Sequence, residues 1–242
     1  MAAQKFFSTH IDVNGRPVRL KARVNRRAKR LILKVDPIIG EILATAPSQR
    51  TLGDAVKFAK ESTQWIAKEL NKGLAAIPFG EGTSIPLRGV KHEIIQKGGP
   101  RTPVRICSLG DQPMIEVGGA AEHINRRVTE WLKRQARADL EQHVVRFCAQ
   151  LQKPESKIRI RDTRTRWASC SSDGVLCFSW RLILTPPEIM EYVVAHECAH
   201  LVHMNHSPAF WRQVAALGVN ARAAESWFNA NGAKLFSYGV NP

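Results

Sequence analysis

Apolar and polar residues alternate along the start of the chain. The segments Phe6 to Val13 and Val18 to Val24 alternate on either side of Asn14-Gly15, a dipeptide that favours a two-residue hairpin turn. Leu31 to Val35 and Glu41 to Ala46 repeat the pattern around a second turn. This period of two predicts two β-hairpins at the beginning of the protein.

The spacing of apolar residues then changes to that of a helix, and later changes twice more. Between Thr51 and Lys72 apolar side chains fall on one face of a helix, which Gly73 would end. Residues 76–120 contain short runs separated by Gly and Pro, which predict further strands. A long helix is expected from about Ala121 to Leu151.

The last third of the chain contains both the alternation typical of strands and the spacing typical of helices. Lys157 to Asp162 and Val175 to Leu182 predict two strands. Thr185-Pro186-Pro187-Glu188 predicts the start of a helix, because Thr can cap it, Pro suits its first turn and Glu completes a capping box. That helix is expected to continue to about Met204, and Ser207-Pro208 predicts the start of the next one.

These elements predict an α+β fold in two parts. A β-rich N-terminal region with one helix would occupy residues 1–118, and a helical core with a small antiparallel sheet would occupy residues 119–242. The chain has 242 residues, 44% of them hydrophobic, which is enough for a packed core. No apolar run approaches the roughly 18 residues of a membrane helix. The start also lacks the apolar stretch of a signal peptide, so we expect a cytoplasmic protein.

The charge of the chain is strongly positive and unevenly distributed. Lys and Arg number 36 against 21 Asp and Glu, giving a net charge of +15. A surplus of this size favours contact with polyanions or acidic substrates. The segment between Val13 and Val35 has no acidic residue, and it contains Arg16, Arg19, Lys21, Arg23, Arg26, Arg27, Lys29, Arg30 and Lys34. Two interpretations stay open for these predicted hairpins, namely solvated strand faces and a nucleic-acid contact surface.

Cysteine number and spacing argue against two common kinds of small structural site. The chain has five cysteines and no pair separated by two residues. An odd count without such pairs argues against a disulfide framework and against a four-cysteine zinc site. Free thiols are therefore expected, and a contact between Cys170 and Cys177 across a hairpin stays open as the alternative.

The strongest chemical signal is His196-Glu197-Cys198-Ala199-His200, inside the predicted capped helix. Residues four apart share a helix face, so both imidazoles can reach one ion. The carboxylate of Glu197 lies beside the first histidine, where it can act on a water molecule held by the metal. This His-Glu-x-x-His pattern predicts one Zn²⁺ ion with Glu197 as the general base.

A catalytic zinc site needs a third protein ligand. His206 lies just beyond the predicted helix end, where a turn can bring it back over the metal. His203 shares the helix face of the pair but is about 10 Å along the axis from His196, which strains a single coordination sphere. Glu225 is a more distant acidic candidate. His206 is the ligand that this reasoning favours.

The sequence resembles the YgjP-like metallopeptidases, which are similar to SprT-like and zincin proteases. The resemblance covers nearly the whole chain and rests on three stretches: Thr165-Arg166-Trp167-Ala168-Ser169-Cys170-Ser171 with Trp180-Arg181-Leu182, Tyr192 to Leu201, and Asn205 to Trp211. It implies a zincin-like metallopeptidase core, with His196, His200 and His206 as metal ligands. Ala168, Ser179 and His203 differ from the residues usual in that family.

Motif and resemblance together predict a zinc-dependent metallopeptidase, a metal-dependent hydrolase acting on peptides or unfolded proteins. The strand from Val175 to Leu182 precedes the metal helix, and its free edge is expected to pair with an extended substrate. Val175, Cys177, Ser179 and Arg166 are the candidate substrate contacts. The residue that stabilises the oxyanion is left open among Arg166, Asn205 and His203.

Two alternatives to a general peptidase remain. In the first, the basic hairpins bring the enzyme to nucleic acid, where it cleaves bound proteins as SprT-like proteases do. In the second, the protein is a non-catalytic binding module stabilised by a structural metal. Glu197 argues against the second alternative, because a purely structural site has no need of a base.

Overall fold

The structure, a computed structural model, describes residues 7–71, 75–163 and 166–240. The chain divides by its own contacts into two compact units. The first extends to Ala76 and also includes Val240, and the second runs from Ile77 to Gly239. The α+β class predicted from the sequence is confirmed. The division between the units lies before the second group of strands, not at the Gly118-Gly119 step, because those strands share a hydrophobic core with the long helix that follows them.

The first unit is a four-stranded sheet covered by two helices. Its elements are β1 (Phe7–Val13), β2 (Arg16–Val24), β3 (Ile32–Asp36), β4 (Glu41–Ala46), α1 (Leu52–Glu61) and α2 (Thr63–Leu70). The strand order is β1-β2-β4-β3, with β2 parallel to β4 and the other pairs antiparallel. Both predicted hairpins are confirmed. Their alternating apolar residues, such as Leu20 and Ile42, are buried against Ala55, Ala59 and Ile66 of the helices.

The single helix predicted between Thr51 and Lys72 is wrong in one respect, because it is interrupted. Ser62 has φ −97° and ψ 19°, outside helical geometry, and it separates α1 from α2. Both helices pack on the sheet, with Ala55 and Ala59 of α1 and Ile66 of α2 in the shared core. The predicted end at Gly73 lies outside the described residues.

The second unit begins with a sheet of the same topology. It consists of β5 (Ser84–Leu87), β6 (Val90–Gln96), β7 (Arg105–Leu109) and β8 (Gln112–Val117), and the long helix α3 (Ala121–Gln150) follows. The order β5-β6-β8-β7 again has a parallel central pair and antiparallel outer pairs. The helix expected from about Ala121 to Leu151 is confirmed.

A small third sheet lies in the same core as α3. Its strands are β9 (Ile158–Arg161), β10 (Ala168–Cys170) and β11 (Leu176–Ser179), in the order β10-β11-β9. Strand β11 pairs antiparallel with β10 and parallel with β9. The strand predicted to reach Leu182 ends earlier, because the chain turns into a 3₁₀ helix at Trp180–Leu184. The predicted free edge on this strand is wrong, since both of its sides are paired.

Three helices complete the second unit: α4 (Pro187–Ala199), α5 (Pro208–Ala216) and α6 (Ala221–Leu235). Pro186 occupies the N-cap of α4, and the hydroxyl of Thr185 donates to the carbonyl of Leu182 at 2.7 Å, so the predicted capping by Thr185 is wrong. Capping of α5 by Ser207 is confirmed. Within the described ranges, no helix has both the length and the apolar character that crossing a membrane requires.

Candidate active site

Helix α4 is the element that positions the predicted catalytic motif. Its buried residues include Ile189, Val193, Val194 and Cys198, whereas Glu188 in its first turn is exposed. A helix buried on most sides is held rigidly by its neighbours. His196 and Glu197 in its last turn, and His200 at its C-cap, therefore have a firmly supported backbone.

Three imidazoles come together at the end of α4. Ring nitrogens of His196, His200 and His206 lie within 4.8 Å of one another. Nε2 of His196 and Nε2 of His206 are 3.1 Å apart. The helix stops at Ala199, earlier than the expected Met204, and this early end gives residues 201–207 the reversal that brings His206 back to the pair.

The surroundings of these rings suit a metal with nitrogen ligands. Nδ1 of His200 lies 3.0 Å from the backbone carbonyl of His203, and this contact leaves Nε2 of His200 for a ligand. Burial first, and the neighbouring imidazoles second, lower the pKa of His196 to about 4. Burial also lowers the pKa of His200. Neutral imidazoles at neutral pH are what zinc coordination requires.

The other two candidates for the third ligand are placed differently. His203 contributes its main-chain carbonyl to the orientation of His200. Glu225, on α6, accepts a hydrogen bond from the hydroxyl of Tyr192 at 3.2 Å. In the part of the chain that the structure describes, the three-histidine group is the cluster arranged to hold a metal.

Glu197 is a buried carboxyl group beside these histidines. Its residue is 7% exposed, and burial raises its pKa to about 7. A hydrogen bond from the backbone of Cys170 acts in the opposite direction and favours the ionised form. The carboxyl group therefore has a proton affinity suited to exchange near neutral pH.

Phe210 forms a common support for the three imidazoles. Its ring is fully buried, and its centroid lies 4.9 Å from that of His196, 4.5 Å from His200 and 4.7 Å from His206. No signal in the sequence indicates that Phe210 contacts all three rings. The Cys170 hydrogen bond to Glu197 is similarly invisible, because it comes from the main chain.

The predicted substrate contacts are not brought together by the structure. Cys177 lies in the central strand, paired with Ser169 on one side and Arg159 on the other. Ser179 is fully buried, and the carbonyl of Val175 accepts from the amide of Ser171. These three residues therefore offer no free strand edge. Arg166 is exposed just before β10, and its role stays a prediction.

Similarity of the chain to known proteins is found at the level of a family. A search of curated proteins gives no match. Among solved structures, the crystal structure of the metallopeptidase zymogen of Pyrococcus abyssi abylysin is similar, with 25% sequence identity and a TM-score of 0.31 over 43% of this chain and 95% of that chain. The family model for the YgjP-like metallopeptidase domain matches residues 29–231. The chain therefore belongs to the YgjP-like metallopeptidase family, a family of metal-dependent hydrolases.

Proposed function

We propose that the protein is a zinc-dependent peptidase whose metal ligands are His196, His200 and His206. Three imidazoles with an open fourth position are a catalytic zinc arrangement. The observation that carries this proposal is the convergence of three ring nitrogens within 4.8 Å, beside a buried glutamate. Zinc bound there would supply an acidified water molecule and polarise the peptide carbonyl.

Glu197 is the general base in this proposal. Its position next to His196 lets the carboxylate take a proton from the attacking water and later give it to the leaving amine. Its pKa of about 7 in the metal-free protein reflects burial, and the nearby cation would favour the ionised form that a base needs. The backbone amide of Cys170 keeps the carboxylate oriented during both proton transfers.

The edge of β10 is the proposed binding site for the substrate main chain. The amide of Ser171 donates to Val175, and the amide of Ser179 donates to Trp167. Because the direction of backbone groups alternates along a strand, those of Ala168 and Cys170 point away from β11. The Cys170 amide meets Glu197, so the groups of Ala168 are left to pair with an extended peptide.

The test of this function is a comparison of two Glu→Gln variants on the same helix. We expect Glu197→Gln to retain one zinc per chain and to lose hydrolysis of an unstructured protein by about 10²–10⁴-fold, the usual contribution of a general base. Glu188→Gln, in the exposed first turn of α4, is the matched control and should keep both.

The same experiment separates catalysis from the alternative of a structural metal site. A non-catalytic module would bind zinc and show no chelator-sensitive hydrolysis in the wild-type protein. Equal rates for wild type and Glu197→Gln, with zinc present in both, would also contradict the proposal. Burial of an ionisable glutamate beside the histidines favours the catalytic interpretation, because such burial is costly and structural zinc sites do not require it.

A further inference from the structure

The β2–β3 loop of the first unit concentrates positive charge at one end of its sheet. The loop runs from Asn25 to Leu31 and carries four exposed cations: Arg26, Arg27, Lys29 and Arg30. Among the residues that the structure describes, none of these four forms an ion pair with an acidic side chain. The backbone amide of Asn25 donates to the carbonyl of Ala46 at 2.8 Å, so the segment after β4, with exposed Arg50, begins at the same end.

Acidic residues of the sheet lie at the opposite end. Strands β2 and β4 are parallel, and both finish next to the loop. Glu41 and Asp36 face each other at the start of β4, and Asp12 lies near the end of β1, where its carboxylate accepts a hydrogen bond from the amide of Gly15 in the turn to β2. Glu41 already accepts from Arg19 and Lys21. The loop end therefore has four cations without an acidic partner in the described residues, while the acidic side chains of the strands lie at the other end of the sheet.

We infer that this loop end binds the phosphate backbone of nucleic acid. Three of its four cations are arginines, whose planar guanidinium groups form two parallel hydrogen bonds with phosphate oxygens. Nucleic acid has the regular dense negative charge that such a cluster complements. The inference concerns the first unit and stands independently of the proposed peptidase chemistry.

The cations are the side chains that the loop offers to nucleic acid, and their contacts with phosphates carry no information on base sequence. Asn25 is the loop residue with a side-chain amide, and its Oδ1 accepts the backbone amide of Arg27 at 3.0 Å, so this oxygen is already used within the loop. Binding through phosphates alone is weak and depends strongly on salt, because each contact releases counterions. The contribution of the loop can therefore be measured as part of the salt dependence.

The experiment uses full-length protein and a labelled DNA duplex of about 20 base pairs, with anisotropy measured between 50 and 200 mM salt. In the triple variant Arg26→Gln, Arg27→Gln, Arg30→Gln, we expect the log–log salt slope to flatten by about 2.7. The factor by which affinity falls between 50 and 200 mM salt should then be about 40 times smaller in the triple variant than in the wild type. Zinc binding and peptide hydrolysis should be unchanged.

A second triple variant controls for net charge. Lys57→Gln, Lys60→Gln and Lys68→Gln remove the same number of charges from exposed positions of α1 and α2, and the slope should stay close to that of the wild type. Equal flattening in both triples would overturn the inference, as would the absence of salt-dependent DNA binding. Loop-dependent binding to anionic phosphatidylserine vesicles without binding to DNA would overturn it as well. Single-stranded DNA and RNA probes then identify the form of the phosphate backbone preferred.

Discussion

At the residue scale, the buried carboxyl group of Glu197 has a measurable effect on the metal-free protein. Its pKa in the native state is about 7, above the ordinary 4.5, so the native state binds this proton more tightly than the unfolded chain does. The free energy of unfolding therefore contains a contribution that falls as pH rises from 4.5 to 7. Glu197→Gln removes this contribution. Relative to wild type, the free energy of unfolding of the variant should therefore increase by up to about 3 kcal/mol as the pH rises from 4.5 to 7.

Urea unfolding in the presence of a chelator, at pH 5 and at pH 7.5, measures this difference. The lowered pKa of His196 makes the free energy of unfolding rise with pH between about 4 and 6.5. This contribution is present in both proteins and cancels in the comparison. In Glu188→Gln the lost carboxyl group is an exposed one, so the free energy of unfolding of this variant should differ from that of wild type by nearly the same amount at both pH values. The same pH dependence in both variants would show that burial of Glu197 has no such effect.

Phe210 permits a second prediction, on metal affinity. Because its ring touches all three imidazoles, we expect Phe210→Leu to weaken zinc binding by about 10–100-fold, as loss of a supporting partner does in other metal sites. Phe147→Leu, at an equally buried position of α3, is the control. Both variants should lose about 1–2 kcal/mol of stability, and only the first should lose zinc affinity.

Competition with a zinc-binding dye gives the two affinities, and thermal unfolding of the metal-free proteins gives the two stabilities. Equal affinities would mean that the turn after α4 holds the histidines without help from the ring.

Individual residues also show how far sequence reasoning reaches at this site. Spacing predicts the grouping of His196 and His200, since four residues make about one helical turn. The contacts of Phe210 depend on how α5 folds back, which spacing does not encode.

At the element scale, the strand β10 is the part of the site that sequence patterns describe least well. It is three residues long, and alternation over three residues gives no usable period. The pattern instead favours the longer run from Val175, which becomes the paired central strand β11. Which of two strands lies at an edge depends on pairing with β9, a contact distant in sequence.

The edge of β10 gives a third prediction. Ala168→Pro removes an amide that points away from β11, so the ladder within the sheet keeps its hydrogen bonds. We expect the KM for an unstructured protein substrate to rise about tenfold, with zinc content unchanged, because one main-chain hydrogen bond to the substrate is lost. Ala168→Val keeps the amide and is the control. An unchanged KM in the proline variant, with the protein folded, would remove β10 from substrate binding.

Helix ends show why elements are easier to predict than their boundaries. The long helix α3 follows directly from its apolar period, and the cap of α5 follows from Ser207-Pro208. At α4 the same kind of signal is misleading. The hydroxyl of Thr185 donates to the 3₁₀ turn before the helix instead of capping it, and the helix ends at Ala199 so that His206 can return. The packed core and the site geometry decide both boundaries.

At the scale of the whole molecule, the two units repeat one sheet topology but have different chemistry. Each begins with β-hairpin, β-hairpin and helix, in the same strand order. No fixed sequence repeat accompanies this similarity, because the topology needs only matching periods and turns. The first unit carries the cationic loop, whereas the second has the histidine cluster and the third sheet.

Zinc binding should therefore stabilise the two units unequally. A ligand that binds only the native state adds about 2.7 kcal/mol at a hundredfold excess over its Kd. All three histidines belong to the second unit, so hydrogen exchange of buried amides in α3 and α4 should slow on addition of zinc. Buried amides of β2 and β4 should change much less. Mass spectrometry of exchange with and without zinc measures both sets in one sample.

Two histidine variants make this last prediction specific. His206→Ala removes a proposed ligand, and the zinc-dependent slowing in α3 and α4 should then largely disappear. His10→Ala changes an exposed histidine of β1 and should leave the slowing intact. Equal slowing in both units of the wild-type protein would mean that they unfold together, because stabilisation at one site then reaches every amide that exchanges by global unfolding. Slowing that survives in His206→Ala would instead place the stabilising zinc elsewhere.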